Sequence, residues 1–537
     1  MRAILPEDNL LFAEEAFRKF TSEVSPKLCI NEIPILDSLN KVSGEVVYSP
    51  IDLPPFSRST VDGYAIKYEN TPGKFTIIGK INIGEYKEIE IKENEAVEVD
   101  TGAMLPEGAN AVIKIEDTKR EDNIVFIDKK LRFGQNIAWI GSDIPKDFEI
   151  LRKGERISPE KIATLASVGI NKVKVYSPKV YVITTGDELV EPGEKLDKGK
   201  IYESNLYYLL TRLRDYIIVG SSLVRDRKED IEKEIEKALD LADVLIITGG
   251  TSAGEKDYVH QIIREKGKIV VHGIKFKPGK PTILGQIKGK PVFGLPGNIV
   301  STIMVYEQLI KKYLDLMSNS EHEENKKIRA KALITVEADK KRFTYIPIYI
   351  LRSNKDTYFL PIPFDSYMIG TFSSADGYIA LNPGDRIEED QEAEIIIKNI
   401  DERPTLLGEE DLKMKNINVR KITLGSYPAC KALEKGVGDI LVISSLMCTP
   451  DNYDFKFDRE ILTNGKGPEI GYNDWIGISK IIKNPTVKLK SPSTVEHFLG
   501  KAKVYAPEGY IKGDKFYTER LYIVTLNNSR KFLQGIF

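Results

Sequence analysis

The chain has 537 residues, enough for about three to five domains with sizeable cores. Its 78 basic and 80 acidic side chains leave a formal net charge of −2, which argues against general nucleic-acid binding. The three cysteines, Cys29, Cys430 and Cys448, share no close spacing, so neither a zinc site nor a disulfide framework is expected, as suits a reducing cytoplasm.

The first residues lack the apolar core of a signal peptide, and no run approaches the roughly 20 apolar residues of a membrane span. A cytoplasmic protein with no membrane partner is expected. Abundant Lys, Glu and Ile with scarce Gln lean towards a thermophile. Residues 7–20 place Leu10, Leu11, Ala13, Phe17 and Phe20 near helical spacing, which predicts an amphipathic helix packed on its own chain or on a second subunit. From Leu53 to Ala65, Pro54, Pro55 and the Asp62-Gly63 turn predict a stiff exposed loop ahead of a strand. On local grounds alone a plain structural turn is the favoured reading of that stretch. Phe75 to Ile127 alternates in short segments, the pattern of an all-β module. Within it Asp100-Thr101-Gly102 can hold an anion through hydroxyl and backbone N–H groups, or simply form a hairpin. Asp143 follows Gly141-Ser142 in a further loop. Ser158 as N-cap, Pro159 at the first helical position and Gly169 as C-cap predict a short helix.

Residues 178–316 alternate strands with amphipathic helices, which calls for a parallel sheet covered on both faces. Ligands of such sheets bind at the carboxyl ends of the strands. Three apolar runs end in suitable loops: Thr185-Gly186-Asp187-Glu188, then Gly249-Gly250 through Ser252 to Asp257, then Pro296-Gly297-Asn298. Glycines let backbone N–H groups approach an anion, and the helix after each loop aims its positive end the same way. Together with the acidic residues they point to a phosphorylated ligand and a divalent cation. Asp257 also reads as a helix N-cap, and Asp187 and Glu188 as caps of the next segment. His260 and His272 fit no metal-ligand spacing and read as structural.

The charged stretch 320–327 reads as a linker, and 326–400 as a small β-barrel. Residues 404–537 form a further α/β module, with strands at Val419–Leu424, Asp439–Ile443, Trp475–Ser479 and Arg520–Thr525 and helices at Pro428–Lys435 and Ser529–Phe537. The expected fold is multidomain α/β and β. Helical and linker elements cover 1–44 and 141–177, and an all-β module covers 45–140. The parallel-sheet core covers 178–318, followed by the barrel and the extra module.

Together these loops resemble the molybdopterin molybdenumtransferases, the MoeA and gephyrin E-domain group. The resemblance rests on Pro54-Pro55-Phe56 with Asp62-Gly63-Tyr64-Ala65, Thr101-Gly102-Ala103, Gly141-Ser142-Asp143-Ile144 and Thr185-Gly186-Asp187-Glu188-Leu189. It continues through Gly249-Gly250 to Asp257, Lys277-Pro278-Gly279-Lys280-Pro281 and Gly294-Leu295-Pro296-Gly297-Asn298. These occur in family order and cover roughly residues 1–400. Three departures stand out: Ser57–Val61 replaces the usual Asp-Asn-Ser-containing loop, Ser142 a glutamate, and Ile299 a proline. The resemblance implies that molybdenum from molybdate, or tungsten from tungstate, is inserted into adenylylated molybdopterin with magnesium-assisted release of AMP. Asp62, Glu188, Asp257, Lys277 and Lys280 would be the catalytic set, with Glu188 and Asp257 on magnesium. Thr101, Asp143, Thr185, Gly186, Gly249, Gly250, Ser252, Pro296, Gly297 and Asn298 would bind the pterin nucleotide. Asp62, Thr101 and Asp143 would reach the core of a second protomer, which implies a homodimer. Molybdopterin adenylyltransferase and apo-molybdoenzymes are the protein partners implied. Competing readings are an adenylyltransferase and a non-catalytic pterin or oxyanion scaffold. Residues 404–537 resemble a periplasmic-binding-protein-like domain with most of its second lobe missing, for which a packing or scaffold role is expected over molybdate binding.

Overall fold

The computed structural model describes residues 10–251, 257–321, 325–353, 356–482, 485–527 and 529–533. Its central sheet has six strands in the order Ile217–Val224, Lys179–Thr185, Val244–Thr248, Lys290–Leu295, Ile283–Ile287 and Gly267–His272. The first four run parallel. Ile283–Ile287 runs opposite to both its neighbours, Lys290–Leu295 and Gly267–His272, so the sheet is mixed and not all parallel as expected. The cause is local. Lys288 and Gly289 both have positive φ, 51° and 75°, the backbone of a tight two-residue hairpin turn. That turn pairs Ile283–Ile287 with Lys290–Leu295, and the strand at Ile283–Ile287 had not been foreseen.

Both faces of the sheet are covered. On one face lie the helices Lys228–Leu241 and Tyr258–Lys266, which bury Ile231, Ile235, Val259 and Ile262. On the other lie Asn205–Arg212 and the continuous helical run Ile299–Met317. The N-terminal helix spans Ala13–Glu23 and packs on its own chain: Phe20 is fully buried, with its ring centroid 5.3 Å from both Phe293 and Tyr313.

Residues expected to be helical or linking before the core also build a three-stranded sheet, Ile30–Pro34, Lys172–Tyr176 and Val42–Ser43. Beside it the helix Pro159–Ser167 is capped by the Ser158 hydroxyl, which accepts from the Lys161 N–H. The β-rich module is a six-stranded sheet ordered Ala111–Lys114, Gly63–Ile66, Glu95–Val99, Gly73–Ile81, Ile124–Ile127 and Lys119–Glu121. After the core, the strands Phe343–Arg352, Thr357–Pro361, Lys327–Ala332, Glu392–Ile397 and Gly377–Leu381 close on themselves through pairing of the first with the last. Phe276-Lys277, from a core loop, joins this barrel by pairing with Phe343-Thr344.

The C-terminal module has its own six-stranded sheet, ordered Arg420–Ile422, Thr405–Gly408, Ile440–Ser444, Asp514–Thr525, Phe455–Asn464 and Val504–Pro507. Trp475–Ser479 is not the expected strand; a 3-10 turn occupies Gly477–Lys480. The end segment is likewise 3-10, at Ser529–Leu533, and residues 534–537 lie outside the described residues. Cys430 and Cys448 are joined in a disulfide, contrary to the reading from spacing. The helix Ser426–Lys435 carries the first sulfur, and the strand Ile440–Ser444 returns the chain beside it. No helix among the described residues is long and apolar enough to cross a membrane.

Candidate active site

The carboxyl ends of three parallel strands lie in register: Thr184 pairs with Thr248, and Thr248 with Leu295. The loops after them therefore leave the same edge of the sheet. Gly249 donates its N–H to the Leu295 carbonyl at 3.1 Å. Its φ is +91°, and a side chain there would collide with the Thr185 carbonyl oxygen. Glycine is required at this point by the close approach of two loops. Thr185 is buried, and its hydroxyl has no hydrogen-bond partner among the described residues. Gly186 donates to Val224, and the exposed Glu188 folds one carboxylate oxygen back over it. Asp257 stands immediately before the helix Tyr258–Lys266, at the end of the loop that follows Val244–Thr248, and is buried. Gly250, like Gly249, has positive φ. Ser252 lies outside the described residues.

Beside the third loop is a cavity of about 230 Å³, lined by Lys277, Lys280, Ser301, Arg342, Asp365 and Ser366 among others. The core supplies the two lysines and Ser301; the barrel side supplies the rest. Pro296-Gly297-Asn298 is bound on three sides. The Pro296 carbonyl accepts from the Thr302 hydroxyl at 2.8 Å, and the Gly297 carbonyl from the Asn205 amide at 2.7 Å. Asn298 donates its side-chain amide to the Ser366 hydroxyl at 2.8 Å. Lys277 is exposed, but its ammonium is paired. Its Nζ lies 3.2 Å from Asp339 Oδ2, and Arg342 Nη2 lies 2.9 Å from the same oxygen. Burial pushes the Asp339 carboxyl up, but the Lys341 N–H, Arg342 and Lys277 outweigh it and hold the group well below the usual carboxylate range. One ionised aspartate thus positions two of the cavity's cations.

Asp62 and Thr101 are brought together in the β-rich module, where Thr101 donates both its N–H and its hydroxyl to Asp62 Oδ1. Asp143 lies in a separate loop, tied by its N–H to the Leu53 carbonyl at 3.0 Å. None of these three lines the lysine cavity of their own chain. The rings of His260 and His272 stack at 4.5 Å, and burial holds both below the usual histidine range. Among the described residues no three His, Cys, Asp or Glu side chains are grouped to hold a metal. The sequence reading missed Arg342, Ser366 and Asn205. The basic run Lys340-Lys341-Arg342 was a visible signal for the first; nothing local marked the others.

A Gly-rich strand end beside a cavity of lysines and an arginine is an arrangement that suits phosphorylated or oxyanionic small molecules. Comparison with known proteins narrows this class. Residues 12–169 match the model of the MoeA N-terminal region (domain I and II), 181–316 that described as "Probable molybdopterin binding domain", and 329–398 the MoeA C-terminal region (domain IV). The molybdopterin molybdenumtransferase of Haemophilus influenzae is 34% identical over 309 residues, covering 56% of this chain and 76% of the relative. That of Staphylococcus epidermidis is 33% identical over 330 residues, covering 56% and 78%. The crystal structure of a molybdopterin biosynthesis MoeA protein from Pyrococcus horikoshii matches 72% of this chain and 99% of its own, at 36% identity and a TM-score of 0.54. The chain belongs to the MoeA family of molybdopterin molybdenumtransferases, a family of enzymes.

Proposed function

We infer that the chain transfers molybdenum to molybdopterin in the biosynthesis of the molybdenum cofactor, taking adenylylated molybdopterin and molybdate and releasing AMP. The observation that carries this reading is a cavity lined by Lys277, Lys280 and Arg342 beside the Pro296–Asn298 loop, which leaves the same sheet edge as the Gly249-Gly250 loop. The Gly249 N–H is taken by the Leu295 carbonyl, but the two loops also carry N–H groups at Gly250, Gly297 and Asn298, of the kind that bind a pyrophosphate. The neighbouring cavity offers Lys277, Lys280 and Arg342 to an oxyanion. Charge-assisted hydrogen bonds from such groups are each worth about 1.5–3 kcal/mol. Molybdate held there lies next to the pyrophosphate, so metal entry and phosphoanhydride cleavage can occur at one place. Tungstate has the same charge and shape and fits the same donors.

Magnesium is the implied helper ion. A hard divalent cation is typically bound by one or two carboxylates plus substrate phosphate oxygens, so it needs no preassembled cluster. Glu188 and Asp257 at the strand-end edge fit that role. When bound, the ion would neutralise charge on the phosphoanhydride. The remaining work falls to the chain: the glycine loops orient the phosphates, and the lysines hold the oxyanion.

Asp62, Thr101 and Asp143 complete a site if a second copy presents them, as a homodimer would. Leu36, Leu39, Tyr48 and Phe148 are exposed near that end of the chain, and their apolar surface supports such an interface. A cytoplasmic setting fits a biosynthetic enzyme. The disulfide is of the kind that intracellular proteins of hyperthermophiles carry.

The test is incubation of the purified protein with adenylylated molybdopterin, magnesium and either molybdate or tungstate. AMP release that depends on one oxyanion, with transfer of active cofactor to an apo-enzyme, is expected. Tight pterin binding without any AMP release would reject the transferase reading.

A further inference from the structure

In the C-terminal module, Glu409 follows the strand Thr405–Gly408 and is 1% exposed. One oxygen, Oε1, accepts three hydrogen bonds: from the Ser426 N–H at 3.0 Å, the Ser426 hydroxyl at 2.7 Å and the Gly477 N–H at 2.7 Å. The first two donors head the helix Ser426–Lys435, whose N-terminus adds partial positive charge. The third comes from a different segment, the 3-10 turn Gly477–Lys480. The other oxygen of Glu409 lies 3.5 Å from Arg459 Nη2, while Arg459 is bound more closely, at 2.7 Å, by Glu519. A side chain at Gly477 would collide with the Ser444 hydroxyl, so its N–H reaches Glu409 only because the residue is glycine.

The two segments are joined at further points. Tyr427 donates its N–H to the Trp475 carbonyl at 3.0 Å. Glu410, the next residue, accepts from the Ser491 hydroxyl and, at 3.2 Å, from the Tyr510 hydroxyl. Two adjacent glutamates therefore reach from the strand-helix half of the module into the segments 470–511. Burial and the neighbouring Glu519 push the Glu409 carboxyl above its usual range, and Arg459, the Gly477 N–H and the Ser426 hydroxyl pull against them.

We infer that this module carries its own ligand. The Glu409 carboxyl is tethered in a cradle whose donors, from two separate segments, suit a small free carboxylate or oxyanion, and it holds those segments closed. The native module consequently takes up no free anion at this place, and the cradle opens only when Glu409 leaves it. This is independent of the transferase reading, since no residue of the lysine cavity takes part.

The test uses the full chain and hydrogen exchange of the amides at 424–427 and 475–479, with formate as the probe. In the unaltered protein both stretches should be protected and indifferent to formate. Glu409→Gly should lose protection at both together and recover it with formate, but not with chloride at equal ionic strength. Glu409→Gln, which keeps the shape, should retain partial protection and gain nothing from formate. If Glu409→Gly does not fold, Ser426→Ala supplies the reading, with protection at 475–479 falling alongside 424–427. Formate-dependent protection in the unaltered protein overturns the inference. So does full protection at 475–479 in Glu409→Gly without formate, or in Ser426→Ala.

Discussion

Thr101 grips Asp62 twice: its N–H lies 2.6 Å and its hydroxyl 2.9 Å from the same carboxylate oxygen, Oδ1. Both bonds favour the ionised form and hold the Asp62 carboxyl below its usual range, although the group is exposed. A depressed carboxyl pKa contributes stability above the unfolded value, and that contribution is lost as pH falls through the folded value. Thr101→Val removes the hydroxyl bond and leaves the backbone bond. The Asp62 carboxyl pKa should rise part of the way back, as followed by NMR titration of the side chain. An unchanged titration would mean that the backbone N–H alone sets it. If Asp62 serves a neighbouring protomer, the same variant should slow AMP release while dimer formation persists.

Asp339 is the common partner of Lys277 and Arg342. Removing a cation that binds the oxyanion costs about 1.5–3 kcal/mol, or roughly tenfold to a hundredfold in affinity. Lys280→Met and Arg342→Met should each raise the apparent KM for molybdate by such a factor. Asp339→Asn leaves both cations in place but unanchored, so the loss should be smaller. Molybdate titration of AMP release, with pterin binding measured separately, distinguishes the oxyanion site from the nucleotide site.

Gly249 has a φ of +91° and no room for a Cβ beside Thr185. Gly249→Ala should therefore cost more than the ~1 kcal/mol typical of a positive-φ glycine, because the loops must also part. Denaturant unfolding should show the loss. Pterin affinity should fall with it, since the bond from the Gly249 N–H to the Leu295 carbonyl, which holds the two loops together, would be disturbed.

Much of the core was legible because β-branched runs such as Val244–Ile247 announce buried strands, and glycines mark their ends. The helix Lys228–Leu241 was legible from its apolar spacing alone. What escaped was set by distant partners. The strand Ile283–Ile287 is interrupted by Gly285 and is defined by its hairpin mate rather than by its own pattern. The Lys277–Asp339 pair joins residues 62 positions apart, through a barrel pairing that no local signal reveals. Trp475–Ser479 is apolar enough for a strand, but it bends so that the Gly477 N–H meets Glu409. The three glycine loops could be read as one site because strand ends in such a sheet share an edge. The cavity next to them needed the barrel in place.

Cysteine chemistry gives a further check. With Cys430 and Cys448 joined, Cys29 is the remaining thiol. Burial, with Asp243 beside it, pushes that thiol up to about 11. An alkylating reagent should react slowly with the native protein near pH 8 and faster as pH approaches 11, because only the thiolate attacks. Between the unfolded value of 9.0 and about 11, the native chain keeps a proton that the unfolded chain has released. Stability from this group is therefore full below that window and declines through it. In denaturant, one thiol should titrate without reductant and three with it.

Arg420 joins the C-terminal module to the barrel. Its Nη1 lies 2.9 Å from Asp376, and the two side chains are 7% and 1% exposed. Its Nη2 donates to the Ser374 carbonyl at 3.0 Å, and its guanidinium stacks over Tyr349 at 4.8 Å. Asp376 also accepts from the Ile350 and Asp401 N–H groups, so it cannot readily turn away. Removing one partner of such a buried pair leaves the other charge stranded and costs about 3–5 kcal/mol. Arg420→Met should loosen the joint between the barrel and residues 404–533, and limited proteolysis near 398–404 should show it as faster cleavage. The core site does not use this joint. If the module serves only for packing or partner contact, AMP release per folded chain should stay within about twofold of the unaltered protein, a change of only ~0.4 kcal/mol. A larger loss would tie residues 404–533 to the transfer reaction itself.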